Sequence, residues 1–265
     1  MIMRRGPVQI FSVLGLLGVG VYYLILAFSP QDYTLPSAEY YVSDYANVLS
    51  SASMDFYLTK STEVFERTKG TNVGGLQIVV ATFPITSEDQ IEDEYNKTTL
   101  FRKWQIGEND MGLLIAYFYE NDTLGIPSLV NTSVEIGYRL NSYLTAGAMG
   151  QILDQDLTAG ADEETAQAHV YSDVLAHVLP DAYGIDVTPF DEEGYLDYLI
   201  HYDGPAYGAS KPLSKLEYAF SMGGFWDQFG IPAIILGVVF FGDAFVLGKG
   251  AGGSSGGGGV FRWKH

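Results

Sequence analysis

MGLLIAYFY, residues 111–119, runs nine positions without a charge and without alternation. A strand with one wet face alternates apolar and polar side chains. A continuous apolar run of this length, rich in aromatics, reads as a strand buried on both faces. GGLQIVVATF, residues 74–83, reads the same way. Between the two lies SEDQIEDEYNKTTLFRKW, residues 87–104, acidic at its start and basic at its end. That order complements a helix dipole, and the stretch is expected to be one helix capped by Ser87. Strand, helix, strand with doubly buried strands implies an α/β sheet covered on both sides.

The pattern extends outward. Ser50 or Ser51 caps a helix over SASMDFYLTKSTEVFERTKG, residues 51–70, with Met54, Leu58 and Phe65 near one face and Ser61 between. ENDTLGIPSLVN, residues 120–131, holds Gly and Pro and is expected to be a loop. SVEIGYRL, residues 133–140, is a third strand with Val134 and Ile136 on one face. The step from 111–119 to 133–140 is too short for a crossover helix. The two strands should therefore form an antiparallel hairpin, which makes the sheet mixed. Helices follow over 144–157 and 162–184, the second expected to break at Pro180. FDEEGYLDYLIHY, residues 190–202, reads as a short helix and GPAYGASKP, residues 204–212, as a linker.

The ends differ. PVQIFSVLGLLGVGVYYLILAF, residues 7–28, carries no charge and is preceded by Arg4 and Arg5. At about 1.5 Å per residue it covers roughly 30 Å of hydrocarbon. FGIPAIILGVVFFGDAFVL, residues 229–247, is a second span, followed by Lys249, Arg262 and Lys264. Basic residues outside both spans put the two termini in the cytoplasm and residues 29–228 outside. The first run is long for a signal-peptide core and no small-x-small site follows it, so an uncleaved anchor is the preferred reading over a cleaved signal. Asp243 falls inside the second span, near its end. The expected organisation is an anchor over 1–28, an α/β domain over 38–184, a juxtamembrane segment over 185–227, a span over 229–247 and a Gly-rich cytoplasmic tail over 248–265.

The chain carries 32 acids and 14 bases. Setting aside Asp243 leaves 31 acids between the spans. Setting aside Arg4, Arg5, Lys249, Arg262 and Lys264 leaves 9 bases. A domain so acidic argues against nucleic acid as a partner and against docking on anionic lipid. It is compatible with cations. The absence of cysteine rules out disulfides, thiolate catalysis and Cys-ligated zinc.

YVSDYANVLS (41–50), GGLQIVVAT, FRKWQIGENDMGLLIAY (101–117), VEIGYRL and LTAGAMGQILD (144–154) occur in an order that resembles the TPM domain family. A hydrophobic segment after the domain and a Gly-rich tail, here GGSSGGGGVFRW, resemble its bacterial membrane-anchored branch. The resemblance implies a three-layer α/β/α sandwich with a Rossmann-like look. It also implies acid phosphatase activity in the plant branch, calcium or another divalent ion at the loop edge of the sheet, and roles in assembly, repair or modulation of membrane complexes. One departure bears on this. Where the family has Gly-x-Gly-x-Glu-Gly-x-x-Thr-Asp, this chain reads GYRLNSYLTA, with Asn141 and Ser142 for Glu-Gly and Ala146 for the acid after Thr145.

If one edge of the sheet gathers both loops, Asp44, Glu108, Asn109 and Asp110 would converge on an ion, Ca2+ or a related divalent cation, with loop carbonyls and water completing six to eight oxygens. In the competing reading Asp44 organises the turn before the first helix and ENDMG is an ordinary acidic turn. A phosphatase would need cations for the phosphoryl group, for which Arg102, Lys103 and Arg139 are available. His169 and His177, eight residues apart on one helix, are too distant to share an ion by themselves. The expected function is that of an extracytoplasmic, membrane-anchored module that binds a divalent cation and a membrane-protein or envelope partner. A metal-dependent acid phosphatase is the alternative.

Overall fold

The computed structural model describes residues 33–157 and 162–220, together with Gly18, Val21 and Ile25. Residues 31–218 form one compact unit. Apart from those three positions, both expected spans and the Gly-rich tail lie outside the described residues. Among the described residues no helix is long and apolar enough to cross a membrane.

The unit holds strands β1 (Val42–Asp44), β2 (Gln77–Ile85), β3 (Gly112–Asn121) and β4 (Pro127–Ile136). Its helices are α1 (Ser51–Thr68), α2 (Asp89–Asp93), α3 (Lys97–Lys103), α4 (Ala146–Asp156), α5 (Glu163–Tyr183), α6 (Glu192–Ile200) and α7 (Lys215–Phe220). The sheet order is β1-β2-β3-β4. β1, β2 and β3 are parallel, and β4 returns antiparallel along β3. The sheet is mixed, as the short connection between β3 and β4 requires. β4 begins at Pro127, so the loop shrinks to a turn in which Asp122 Oδ1 accepts from the amides of Leu124 (2.8 Å) and Ile126 (2.9 Å). Polar residues and a proline masked this strand because it is a sheet edge. There the first residue needs no donor and the side chains meet solvent.

Alternation along β2 and β3 builds two cores. Ile78, Val80, Leu113, Ile115 and Tyr117 face α1 and α5, where Met54, Tyr57, Val64, Tyr171 and Val174 meet them. Val79, Ala81, Phe83, Leu114 and Phe118 face the other way, onto Ile91, Leu100, Phe101 and Trp104. Both strands are therefore apolar throughout, and the architecture is helix, sheet, helix.

Two helices differ from expectation. α1 starts where expected, with Ser50 Oγ accepting from Ser53 N at 3.1 Å. Its buried stripe is Met54, Tyr57, Ser61, Val64 and Thr68, whereas Leu58 and Phe65 are half-buried. The small polar residues let the helix lie close to the sheet because their hydroxyls are satisfied. Ser61 Oγ donates to Ile78 O (3.2 Å) and pairs with the Tyr171 hydroxyl (2.7 Å), and Thr68 Oγ1 accepts from Leu76 N (2.9 Å). The stretch 87–104 is two helices rather than one. Asn96 caps the second, accepting from Thr99 N at 3.0 Å. Tyr95, at the break, lays its ring against Phe83 at 4.5 Å. α5 runs through Pro180 and stops at Gly184, whose φ of 64° is left-handed.

Residues 185–218 belong to the folded unit instead of forming a juxtamembrane extension. The expected linker around Ser210 is a strap along β1. Asp44 N donates to Ser210 Oγ and Ser210 N to Asp44 O, both at 2.9 Å, and Leu213 N donates to Pro36 O at 3.0 Å.

Candidate functional site

Asp44 ends β1 opposite Thr82. Glu108, Asn109 and Asp110 precede β3, whose first residue Gly112 stands opposite Gln77. Thr82 lies five residues beyond Gln77 on β2, roughly 17 Å along the strand. The parallel strands thus put Asp44 toward one end and the acidic turn at the other. The four predicted ligands do not converge, and a calcium ion needing six to eight close oxygens does not fit them.

Asp44 is 1% exposed, and both of its carboxylate oxygens are hydrogen-bonded. Oδ1 accepts from Val48 N (3.1 Å) and Thr82 Oγ1 (2.5 Å), and Oδ2 accepts from Leu49 N (3.1 Å). It organises the loop that leads into α1.

The acidic turn is a folded plug. Gln105, Asn109 and Asp110 adopt left-handed φ of 53°, 53° and 61°, and Gly107 has φ 90°. Glu108 Oε2 accepts from Gly75 N at 2.8 Å, tying the turn to the segment before β2. Glycines line its seat. A Cβ on Gly137 would lie 2.2 Å from Asp110 O, and one on Gly74 would lie 2.5 Å from Glu108 O. Asn109 and Asp110 are exposed beside a shallow hollow of about 360 Å³ that Arg102 also borders. Arg139 is engaged elsewhere, donating to Asn72 O at 2.9 Å.

Two further features stand on the α1 and α5 side. A cleft of about 730 Å³ opens between α1, α5, α6 and the segment 185–191. Val64, Leu175 and Leu179 line it together with Phe190, Tyr195 and Tyr198. The Tyr198 hydroxyl donates to Asp55 Oδ2 at 2.9 Å, and burial pushes that phenol above its ordinary range. Lys60, Glu63 and Arg67 also line the cleft, with Glu63 3.8 Å from Lys60 and 3.6 Å from Arg67.

The second feature joins α4 to α5. Asp156, the last residue of α4, is 4% exposed, and its Oδ2 has no hydrogen-bond partner. Its Oδ1 lies 3.6 Å from His169 Nδ1, and Asp173 Oδ1 lies 4.0 Å from the same nitrogen. Burial raises the Asp156 carboxyl above the usual carboxylate range. Asp173 adds to the shift and His169 opposes it. The His169 ring meets Phe190 edge-on at 4.7 Å. The sequence does carry a trace of this cluster in His169 and Asp173, four apart on one helix face. The spacing of His169 and His177 does not reveal it, and Asp156 enters only through the packing of α4 on α5.

Residues 42–169, from β1 into α5, match the sequence profile of the TPM domain. They form a TPM domain. The match spans the sheet, the plug and two of the three residues in the α4–α5 cluster. The cleft-lining segment 185–198 lies beyond the TPM domain proper. The solution NMR structure of the N-terminal domain of a protein from P. gingivalis is similar over 66% of this chain and 90% of that one, at 19% identity and a TM-score of 0.33. No curated protein matches the sequence.

Proposed function

We propose that this chain is a membrane-anchored TPM-domain protein of the bacterial type, with its acidic domain outside the cell membrane. There it acts as a divalent-cation-binding interaction module for a membrane or envelope protein, and not as a phosphatase. The observation that carries the reading is the cleft between α1, α5 and α6. Its volume of about 730 Å³ falls in the range of binding sites, and it combines apolar and aromatic walls with charged side chains. Such a surface suits an aromatic or aliphatic anchor from a partner, framed by polar contacts. The phosphatase alternative loses support from Asp44, whose two oxygens accept three hydrogen bonds.

Thr59 is exposed and lines the cleft. Thr59→Trp should fill it without disturbing the core, and should abolish crosslinks made from a photoreactive residue at Tyr198 in intact cells. Crosslinking unchanged by Thr59→Trp would sink the cleft reading. The purified chain should show no turnover of a generic phosphomonoester above background, with or without calcium or magnesium. Turnover abolished by Asp110→Ala would restore the enzyme. For topology, external protease should cut within residues 29–228 of intact cells, and full protection of that segment would reverse the orientation.

A further inference from the structure

We propose that Asp156, His169 and Asp173 form a binding site for a divalent transition-metal ion of the zinc class, tying the end of α4 to α5. The inference deepens the divalent-ion part of the function proposed above by giving the ion a seat. It does not depend on the cleft, and its failure would leave the cleft untouched.

A buried carboxylate is normally held by hydrogen bonds or a counter-charge, because desolvation penalises it heavily. Asp44, in the same domain, shows the satisfied case with three donors. Asp156 is also buried, yet Oδ2 has no partner and Oδ1 lies 3.6 Å from a ring nitrogen, beyond hydrogen-bond distance. His169 Nδ1 is likewise shielded from solvent and without a hydrogen bond. One oxygen from each of Asp156 and Asp173 and a nitrogen of His169 lie within 4.8 Å of one another. A cation among them satisfies the nitrogen lone pair and both carboxylates at once.

The spacing suits a small ion. Ligands bound about 2.1 Å from a tetrahedral metal sit roughly 3.4 Å apart. The separations of 3.6 and 4.0 Å from His169 Nδ1, within a set spanning at most 4.8 Å, would contract to that geometry by side-chain adjustment. One imidazole nitrogen and two carboxylates are a donor set for zinc, cobalt or manganese. Calcium prefers six to eight oxygens, more than two carboxylates supply. His169 and Asp173 are each about one-third exposed on their side chains, which gives the ion an entry path and leaves a coordination position for water. The two helices supply the ligands at fixed places, with His169 and Asp173 one turn apart and Asp156 at the end of its helix.

The test uses the untagged full-length chain in detergent, stripped of metal and titrated with Zn2+, Co2+ and Ca2+. Zinc at a hundredfold excess over its dissociation constant should raise the melting midpoint by roughly 5–10 °C. Cobalt should give a visible absorption band that saturates at one equivalent. Both signals should vanish in Asp156→Asn and His169→Gln and persist in Asp110→Asn. Asp156→Asn removes a buried charge whose Oδ2 has no hydrogen-bond partner, so the variant should fold without metal. The proposal is overturned if zinc gives no shift and cobalt no band. It is also overturned if either signal survives Asp156→Asn, or if Asp110→Asn abolishes them. An equal shift from calcium would overturn the ion class. A midpoint that follows pH alone and ignores zinc would mean that a protonated His169 closes the cluster instead.

Discussion

Asp44→Ala should lower the unfolding free energy of the domain by about 4 kcal/mol, whether or not divalent ions are present. The carboxylate, itself buried, accepts from the part-buried amides of Val48 and Leu49 and from the buried hydroxyl of Thr82. Removing it strands three donors. Each buried donor left unpaired costs about 1–3 kcal/mol, and hydrogen bonds to a charged acceptor lie toward the upper end. The loss reaches further than the loop. The backbone of Asp44 also holds Ser210 through two hydrogen bonds, so a displaced β1 would release the strap. Urea unfolding followed by near-UV circular dichroism would measure the effect. A loss below about 1 kcal/mol would mean that water replaces the carboxylate, and a loss that appears only with calcium would return Asp44 to the role of a metal ligand.

Gly107→Ala should destabilise the domain by about 3–5 kcal/mol or prevent its folding. Two effects add. A φ of 90° is strained for any L side chain. The added Cβ would also fall 2.2 Å from Gly112 N and 2.4 Å from Gly112 Cα. These are backbone atoms of the first β3 residue and cannot rotate away. Relief would require β3 to shift against β2, with which it pairs from Gln77 to Ile85. It would also disturb the bond from Gly107 N to Gln77 Oε1, 2.8 Å long. Exposed Gly125, a positive-φ glycine with open space around it, is the matched comparison. Gly125→Ala should cost only the conformational penalty, about 1 kcal/mol. Equal effects at the two positions would show that crowding at the plug contributes nothing.

How far the sequence carried can be seen at particular residues. β2 and β3 were legible because burial on both faces leaves an unbroken apolar run, and the hairpin because its connection was short. β4 began six residues earlier than expected because a polar edge strand and a loop share a composition. The break at Asn96 was hidden by a charge order that one long helix would also show. Asp44, Glu108 and Asp110 were expected to share an ion with Asn109. Their chemistry depended on which end of the strands each loop occupies, and that follows from register, which local composition does not encode. The Asp156 cluster joins two helices, and only their packing brings its members together.

The strap returns the chain to its starting point. Leu213 N meets Pro36 O, so the two ends of the folded unit leave it side by side. A pull applied to those ends loads the Leu213–Pro36 and Ser210–Asp44 bonds one after another, as a zipper is opened. Leu35 and Tyr218, next to that seam, are buried at 1% and 0% exposure, and Trp104 Nε1 donates to Thr34 O at 2.7 Å, so the core holds both ends as well. The strap therefore closes the chain on itself, and separating its two ends means drawing side chains out of the core as well as parting hydrogen bonds.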